Sequence, residues 1–142
     1  MLKRLEILLV EDHADSALAL ASLLRAGGSS VAVADSCAAA KSLYGEKSFD
    51  VLLCDLGLPD GDGCDLLREL IAIRRVCAIA ITGFGMEEDV ERSKAAGFVA
   101  HLTKPITLDS LRQTLERVFT DELCLSSTHE PPSWQRLSRG GK

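Results

Sequence analysis

Four short apolar runs in this 142-residue chain end on residues able to do polar chemistry. Ile7-Leu8-Leu9-Val10 ends on Glu11-Asp12, and Val51-Leu52-Leu53-Cys54 ends on Asp55. The run Val76–Ile81 leads into Thr82-Gly83, and the segment through Leu102 ends on Lys104-Pro105. Runs this short and apolar are buried strands. Open α/β folds bind their ligands beyond the carboxyl ends of such strands. Three carboxylates, a hydroxyl and a lysine are therefore expected on one rim. Carboxylates that close repel unless a cation neutralises them. An all-oxygen set with an open face suits Mg²⁺, with Mn²⁺ as its substitute, because such ions keep waters and accept phosphate oxygens. A lysine adds a point charge for a phosphate oxygen, and a hydroxyl can donate to another. This is a site for phosphoryl transfer onto a carboxylate, in which positioning and charge neutralisation carry the catalysis.

The elements that must hold these residues alternate along the chain. Strand-like Leu5–Val10 precedes a helical pattern over Ala14–Ala26 that Gly27-Gly28 stops. Ser30–Ala34 is a short strand, and Ser36 caps a helix running to about Lys47. Asp50–Asp55 is the third strand and Cys64–Arg74 the third helix. Val76–Ile81 is apolar enough to be buried on both faces. Met86–Ala96 opens with acids and closes with Arg92 and Lys94, which suits the helix dipole. Phe98–Thr103 is the fifth strand, and Thr107 caps a last helix striped by Leu108, Leu111, Leu115, Val118 and Phe119. Alternation of this kind specifies a doubly wound, five-stranded parallel sheet with five helices.

Composition sets the outer bounds. The length is that of one domain with a real core, and a net charge of −5 offers no footprint for nucleic acid or an anionic membrane surface. No apolar run approaches the roughly 20 residues that span a bilayer, and Lys3, Arg4 and Glu6 interrupt any leader-like start, so a cytoplasmic location is expected. Five cysteines without a Cys-x-x-Cys pair, and three scattered histidines, argue for buried reduced thiols over a disulfide framework or a zinc site. Residues 1–121 are read as the domain. Residues 122–142, with Ser126-Ser127-Thr128, Pro131-Pro132 and the lone Trp134, are read as an unstructured tail.

Glu11-Asp12, Asp55 followed by Leu58-Pro59 and Gly61/Gly63, Thr82-Gly83 and Lys104-Pro105 together resemble the receiver domain of two-component response regulators, over about residues 5–120. The resemblance implies a flavodoxin-like fold with strand order 2-1-3-4-5. It implies that Asp55 accepts a phosphoryl group from a phosphohistidine on a histidine kinase or histidine phosphotransfer protein. Mg²⁺ would be held by Asp12, Asp55 and the Gly57 carbonyl, with Glu11 acting through water. Lys104 would pair with Asp55 at rest, Thr82 beside Gly83 would turn toward the phosphoryl oxygens, and Lys104-Pro105 would be a cis peptide. Output would be altered binding of a downstream protein or domain at the face of the fourth helix, fifth strand and fifth helix, without nucleic-acid or membrane contact by this domain.

One position departs from the pattern: His101 stands where the family's switch usually has Tyr or Phe. It is either an ordinary half-exposed strand residue or an imidazole replacing the aromatic indicator. Gly57 and Phe84 flank the site and would tune hydrolysis. Asp60, Asp62 and Asp65 read as a solvated turn, and Gly61-Asp62-Gly63 lacks the third glycine of a dinucleotide fingerprint. An aspartyl phosphatase needs a second acid two residues after the first, where this chain has Gly57. A flavin module would need a hydroxyl-rich phosphate loop where this chain has carboxylates. Nothing after Phe119 resembles a basic helix-turn-helix. The stretch Phe98–Ile106 and the short tail favour a receiver from the C-terminus of a hybrid sensor histidine kinase over a stand-alone regulator.

Overall fold

The computed structural model describes residues 4–83 and 87–120, so Phe84, Met86, Trp134 and the tail expected over 122–142 lie outside the described residues. Among the described residues, seven strands and five helices follow in the order β1 (Glu6–Val10), α1 (Ala14–Ala26), β2 (Ser30–Ala34), α2 (Cys37–Glu46), β3 (Val51–Asp55), β4 (Gly57–Leu58), β5 (Gly61–Asp62), α3 (Gly63–Ile73), β6 (Cys77–Thr82), α4 (Glu87–Ala96), β7 (Ala100–Thr103) and α5 (Leu108–Thr120). Five strands form one sheet in the order β2-β1-β3-β6-β7, and every pairing in it is parallel. With β4 and β5 set aside as a separate antiparallel pair, this is the expected 2-1-3-4-5 order.

Strand alternation builds the two cores. Leu8, Val10, Leu52, Cys54, Ala78 and Ala80 face one side, where they pack with Tyr44 of α2, Leu66, Leu67 and Leu70 of α3, and Ala96 of α4. Ile7, Leu9, Val51, Leu53, Ile79 and Ile81 face the other, against Leu20 and Leu24 of α1 and Leu111 and Leu115 of α5. Every residue of β6 is buried, as a strand covered on both faces requires.

The helix ends obey local chemistry. Ser36 Oγ accepts the Ala39 N–H at 3.1 Å, and Thr107 Oγ1 accepts the Ser110 N–H at 3.0 Å. Gly97 closes α4 with φ +119°, a conformation an L side chain rarely adopts. Two readings need correction and one needs an addition. Leu108 is 46% exposed, because the buried stripe of α5 starts one turn later at Leu111. Cys37, Cys54 and Cys64 are free buried thiols, but Cys77 is disulfide-bonded and so not a reduced thiol. The turn at Asp60 is exposed as expected, but Asp60 and Asp62 also take up backbone N–H groups, which the sequence reading left out. Asp60 accepts the Cys37 and Ala38 N–H groups at 2.8 and 3.1 Å and so caps α2 from a distance. Asp62 accepts the Cys64 N–H at 2.6 Å and starts α3.

Candidate functional site

Parallel register carries the reactive residues to one edge. Val10 pairs with Cys54, Asp55 with Ile81 and Thr82 with Thr103, so Glu11, Asp55, Thr82 and Lys104 all emerge at the carboxyl ends of their strands. Two backbone bonds continue the ladder past the strand ends, from Glu11 N–H to the Ala34 carbonyl and from Lys104 N–H to the Thr82 carbonyl, both at 2.9 Å.

The structure draws three of the expected residues together through Lys104. Its Nζ lies 3.0 Å from Asp55 Oδ2 and 3.0 Å from Glu11 Oε1. Burial pulls the lysine pKa down, but the hydrogen bonds and charges of Asp55 and Glu11 outweigh it and raise the value above 10.5. Asp55 Oδ1 accepts the Gly57 N–H at 3.0 Å, which aims the carboxylate along the rim. The Asp55 side chain is 16% exposed, enough for an incoming group to reach it. Glu11 is almost fully buried, and its second oxygen, Oε2, accepts the His13 N–H at 3.1 Å.

The backbone of Asp55 is held as closely as its side chain. A Cβ at Gly63 would stand 2.6 Å from the Asp55 carbonyl oxygen and 2.9 Å from Leu56 Cα, so only glycine lets α3 start so near the strand end. The Gly63 N–H donates to the Leu56 carbonyl at 2.8 Å.

The other expected residues sit around this centre. Thr82 is buried, and its hydroxyl makes a long 3.5 Å bond to the Leu102 carbonyl, on the β7 side. Gly83 is exposed. His101 is half-buried and pairs with Ala80 in the sheet; its neighbour Leu102 points toward α1 and α5, so the imidazole faces the α4 side. The Lys104–Pro105 peptide is cis.

Asp12, a third exposed, is the open carboxylate of the set. Its carboxylate, with the partly exposed Asp55 carboxylate, is an oxygen donor of the kind that could hold a divalent cation such as magnesium. Sequence reasoning did not single out His13, which stands close to the acid pair. The donor atoms of Glu11, Asp12 and His13 all lie within 4.8 Å of one another, whereas Asp55, held by Lys104, is not in that set. The signal was available: a histidine directly follows an acid pair at a strand end.

Two cavities meet at Glu11. One of about 420 Å³ runs between α1 and the segment after β7, lined by Leu20, Leu23, Lys104, Pro105 and Ile106 among others. The second, about 310 Å³, lies on the β2 side and includes Asp12, Leu18, Val33 and Asp35.

Comparison with known proteins identifies the family. Residues 7–116 match the model of the response regulator receiver domain. The transcriptional regulatory protein ZraR of Salmonella typhimurium is 36% identical over 115 residues, covering 80% of this chain and 26% of ZraR. The virulence sensor protein BvgS of Bordetella pertussis is 32% identical over 139 residues, covering 92% of this chain and 11% of BvgS. The chain thus spans about a quarter of one relative and a tenth of the other. Among solved structures, the receiver domain of the sensor histidine kinase PA1611 from Pseudomonas aeruginosa, which holds magnesium in its active-site cleft, is 32% identical with a TM-score of 0.73, covering 81% of this chain and 97% of its own. A CheY-like receiver from Methanospirillum hungatei, 24% identical over 84% of this chain and 96% of its own, has a TM-score of 0.77. The chain belongs to the response regulator receiver family of two-component signal transduction.

Proposed function

We propose that this receiver accepts a phosphoryl group on Asp55 from a phosphohistidine of a histidine kinase or a histidine phosphotransfer protein. A carboxylate oxygen of Asp55 attacks phosphorus. The new O–P bond forms as the N–P bond to the donor imidazole breaks, and the electron pair returns to that nitrogen, which takes up a proton. The observation carrying this reading is the placement of Asp55: partly exposed at a strand end, aimed by the Gly57 N–H and neutralised by Lys104 at 3.0 Å. Asp12, Asp55 and the Gly57 carbonyl would hold Mg²⁺ (or Mn²⁺), with Glu11 through water; the bound ion would offset the charge of the carboxylates and of the incoming phosphoryl oxygens.

Lys104 then transfers its contact from Asp55 to the phosphoryl group, and the Thr82 hydroxyl, beside Gly83, swings from β7 toward it. His101 takes the place of the aromatic indicator. Downstream partners bind the face of α4, β7 and α5. The domain catalyses nothing beyond its own phosphorylation and dephosphorylation. Among the described residues no helix is long and apolar enough to cross a membrane; the domain is expected to act in the cytoplasm. The chain carries no nucleic-acid footprint of its own, with a net charge of −5. An origin in a hybrid sensor kinase, over a stand-alone regulator, is favoured by similarity to BvgS and to the PA1611 receiver, while ZraR represents the alternative.

Incubation with acetyl phosphate and Mg²⁺, followed by peptide mass mapping, tests the mechanism. Added mass on Asp55 that disappears in EDTA and in Asp55→Asn is the expected result. Label elsewhere, or undiminished label in EDTA, overturns it.

A further inference from the structure

We infer that Cys77 and Cys124 form a reversible thiol–disulfide site that fastens the chain beyond α5 to the sheet. Cys77 is disulfide-bonded, whereas Cys37, Cys54 and Cys64 are free thiols. The sequence has five cysteines, so within one chain the partner is Cys124, which lies outside the described residues. The distance to be bridged is short. Cys77 opens β6 and packs with Val118 near the end of α5, with Phe119 against the pair. Cys124 follows Val118 by six positions, a stretch that spans at most about 20 Å when extended.

The bond acts as a switch and not as a brace, because the fold stands without it. Leu111 and Leu115, 0% and 1% exposed, already seat α5 in the core beside α1. In the cytoplasm, where the domain is expected to act, thiols are kept reduced and a protein disulfide is usually transient or redox-sensing. Reduction takes a small dithiol reductant. One of its thiolates attacks a sulfur of the pair, which makes a mixed disulfide and releases the other cysteine as a thiolate. The reductant's second thiolate then displaces the first cysteine. Two electrons pass to this chain, its two thiolates take up two protons, and the reductant leaves as a disulfide. A small disulfide such as oxidised glutathione drives the reverse. Cys77 begins β6 and Thr82 ends it, so the exchange takes place at the opposite end of the strand from the phosphoacceptor rim.

Full chain isolated without reductant would be alkylated in denaturant, digested and mapped by mass without reduction. A linked peptide holding Cys77 and Cys124, with Cys37, Cys54 and Cys64 alkylated, is the expected result. Cys77 found alkylated, or joined to any other cysteine, overturns the pairing. The chain would then be equilibrated, from the reduced and from the oxidised side, in glutathione buffers of graded reduced-to-oxidised ratio. The linked fraction should fall at least about tenfold from the most oxidising to the most reducing buffer and reach the same value from both sides. A fraction that stays constant across the series overturns the switch. Backbone amide resonances of Val118 and Phe119 should move between the oxidised and the reduced chain, and Cys124→Ser should hold the reduced positions in every buffer. Resonances of Val118 and Phe119 that do not move on reduction overturn the fastening.

Discussion

The ammonium of Lys104 stands 3.0 Å from Oε1 of Glu11, a carboxylate whose side chain is only 2% exposed. The pair spans the first and last strands' ends, and its partners are unequal: the lysine is one-third exposed and the glutamate is not. Removing the lysine leaves a buried charge without its partner. Lys104→Met should therefore lower stability by about 2 kcal/mol, less than for a fully buried pair because water still reaches the site. Glu11→Gln in the same chain should recover part of that loss. Urea unfolding of the two single variants and the double measures it, and equal stability of Lys104→Met and wild type would refute the coupling.

Gly63 makes a sharper case. Alanine there meets the Asp55 carbonyl and Leu56 Cα, both backbone, so neither can turn away. Gly63→Ala is expected to cost about 2–3 kcal/mol and to slow phosphorylation by shifting Asp55. Gly57→Ala, where an added Cβ meets nothing within 4 Å, is the control and should change stability by less than about 0.5 kcal/mol. Thermal unfolding with acetyl-phosphate labelling separates the two.

Acid should weaken the fold partly through Asp62. Burial pushes its pKa up, but the Arg92 guanidinium at 2.9 Å and the Cys64 N–H outweigh that and hold it below 3.8. A depressed carboxylate adds stability above its unfolded pKa, and the gain is lost as pH falls through the folded value. The contribution is present above pH 3.8 and fades below it. It should amount to about 1 kcal/mol or less, since both partners are substantially exposed. Asp62→Asn keeps the N-cap, so its stability should fall less steeply than wild type between about pH 5 and 2.

Much of the fold was legible because its signals are local. The apolar runs ending on Asp55 and Asp12 mark strands by composition alone, and Ser36 and Thr107 announce helix starts by their hydroxyls. The small β4–β5 pair was not legible: Gly57–Leu58 and Gly61–Asp62 are two residues each, too short for any period to show. The capping role of Asp60 was illegible for a different reason. Its N–H partners are Cys37 and Ala38, 23 and 22 residues away, and no local pattern encodes a cap delivered from another loop. His13 stood beside the acid pair in plain view, but its nearness to both carboxylates depends on how the chain turns into α1. Leu108 failed because helical spacing gives the direction of a stripe and not where the sheet beneath it ends.

The parallel register also dictates when the site can exist. Asp55 and Lys104 are 49 residues apart, and Glu11 and Lys104 are separated by most of the domain. Contacts of such long sequence separation close late and make folding slow relative to helical proteins of the same size. Until β7 docks on β6, Asp55 has no lysine beside it and Glu11 has no counter-charge. On the proposed function, a nascent or partly unfolded chain cannot take up a phosphoryl group, and a signal enters only through molecules whose last strand is in place.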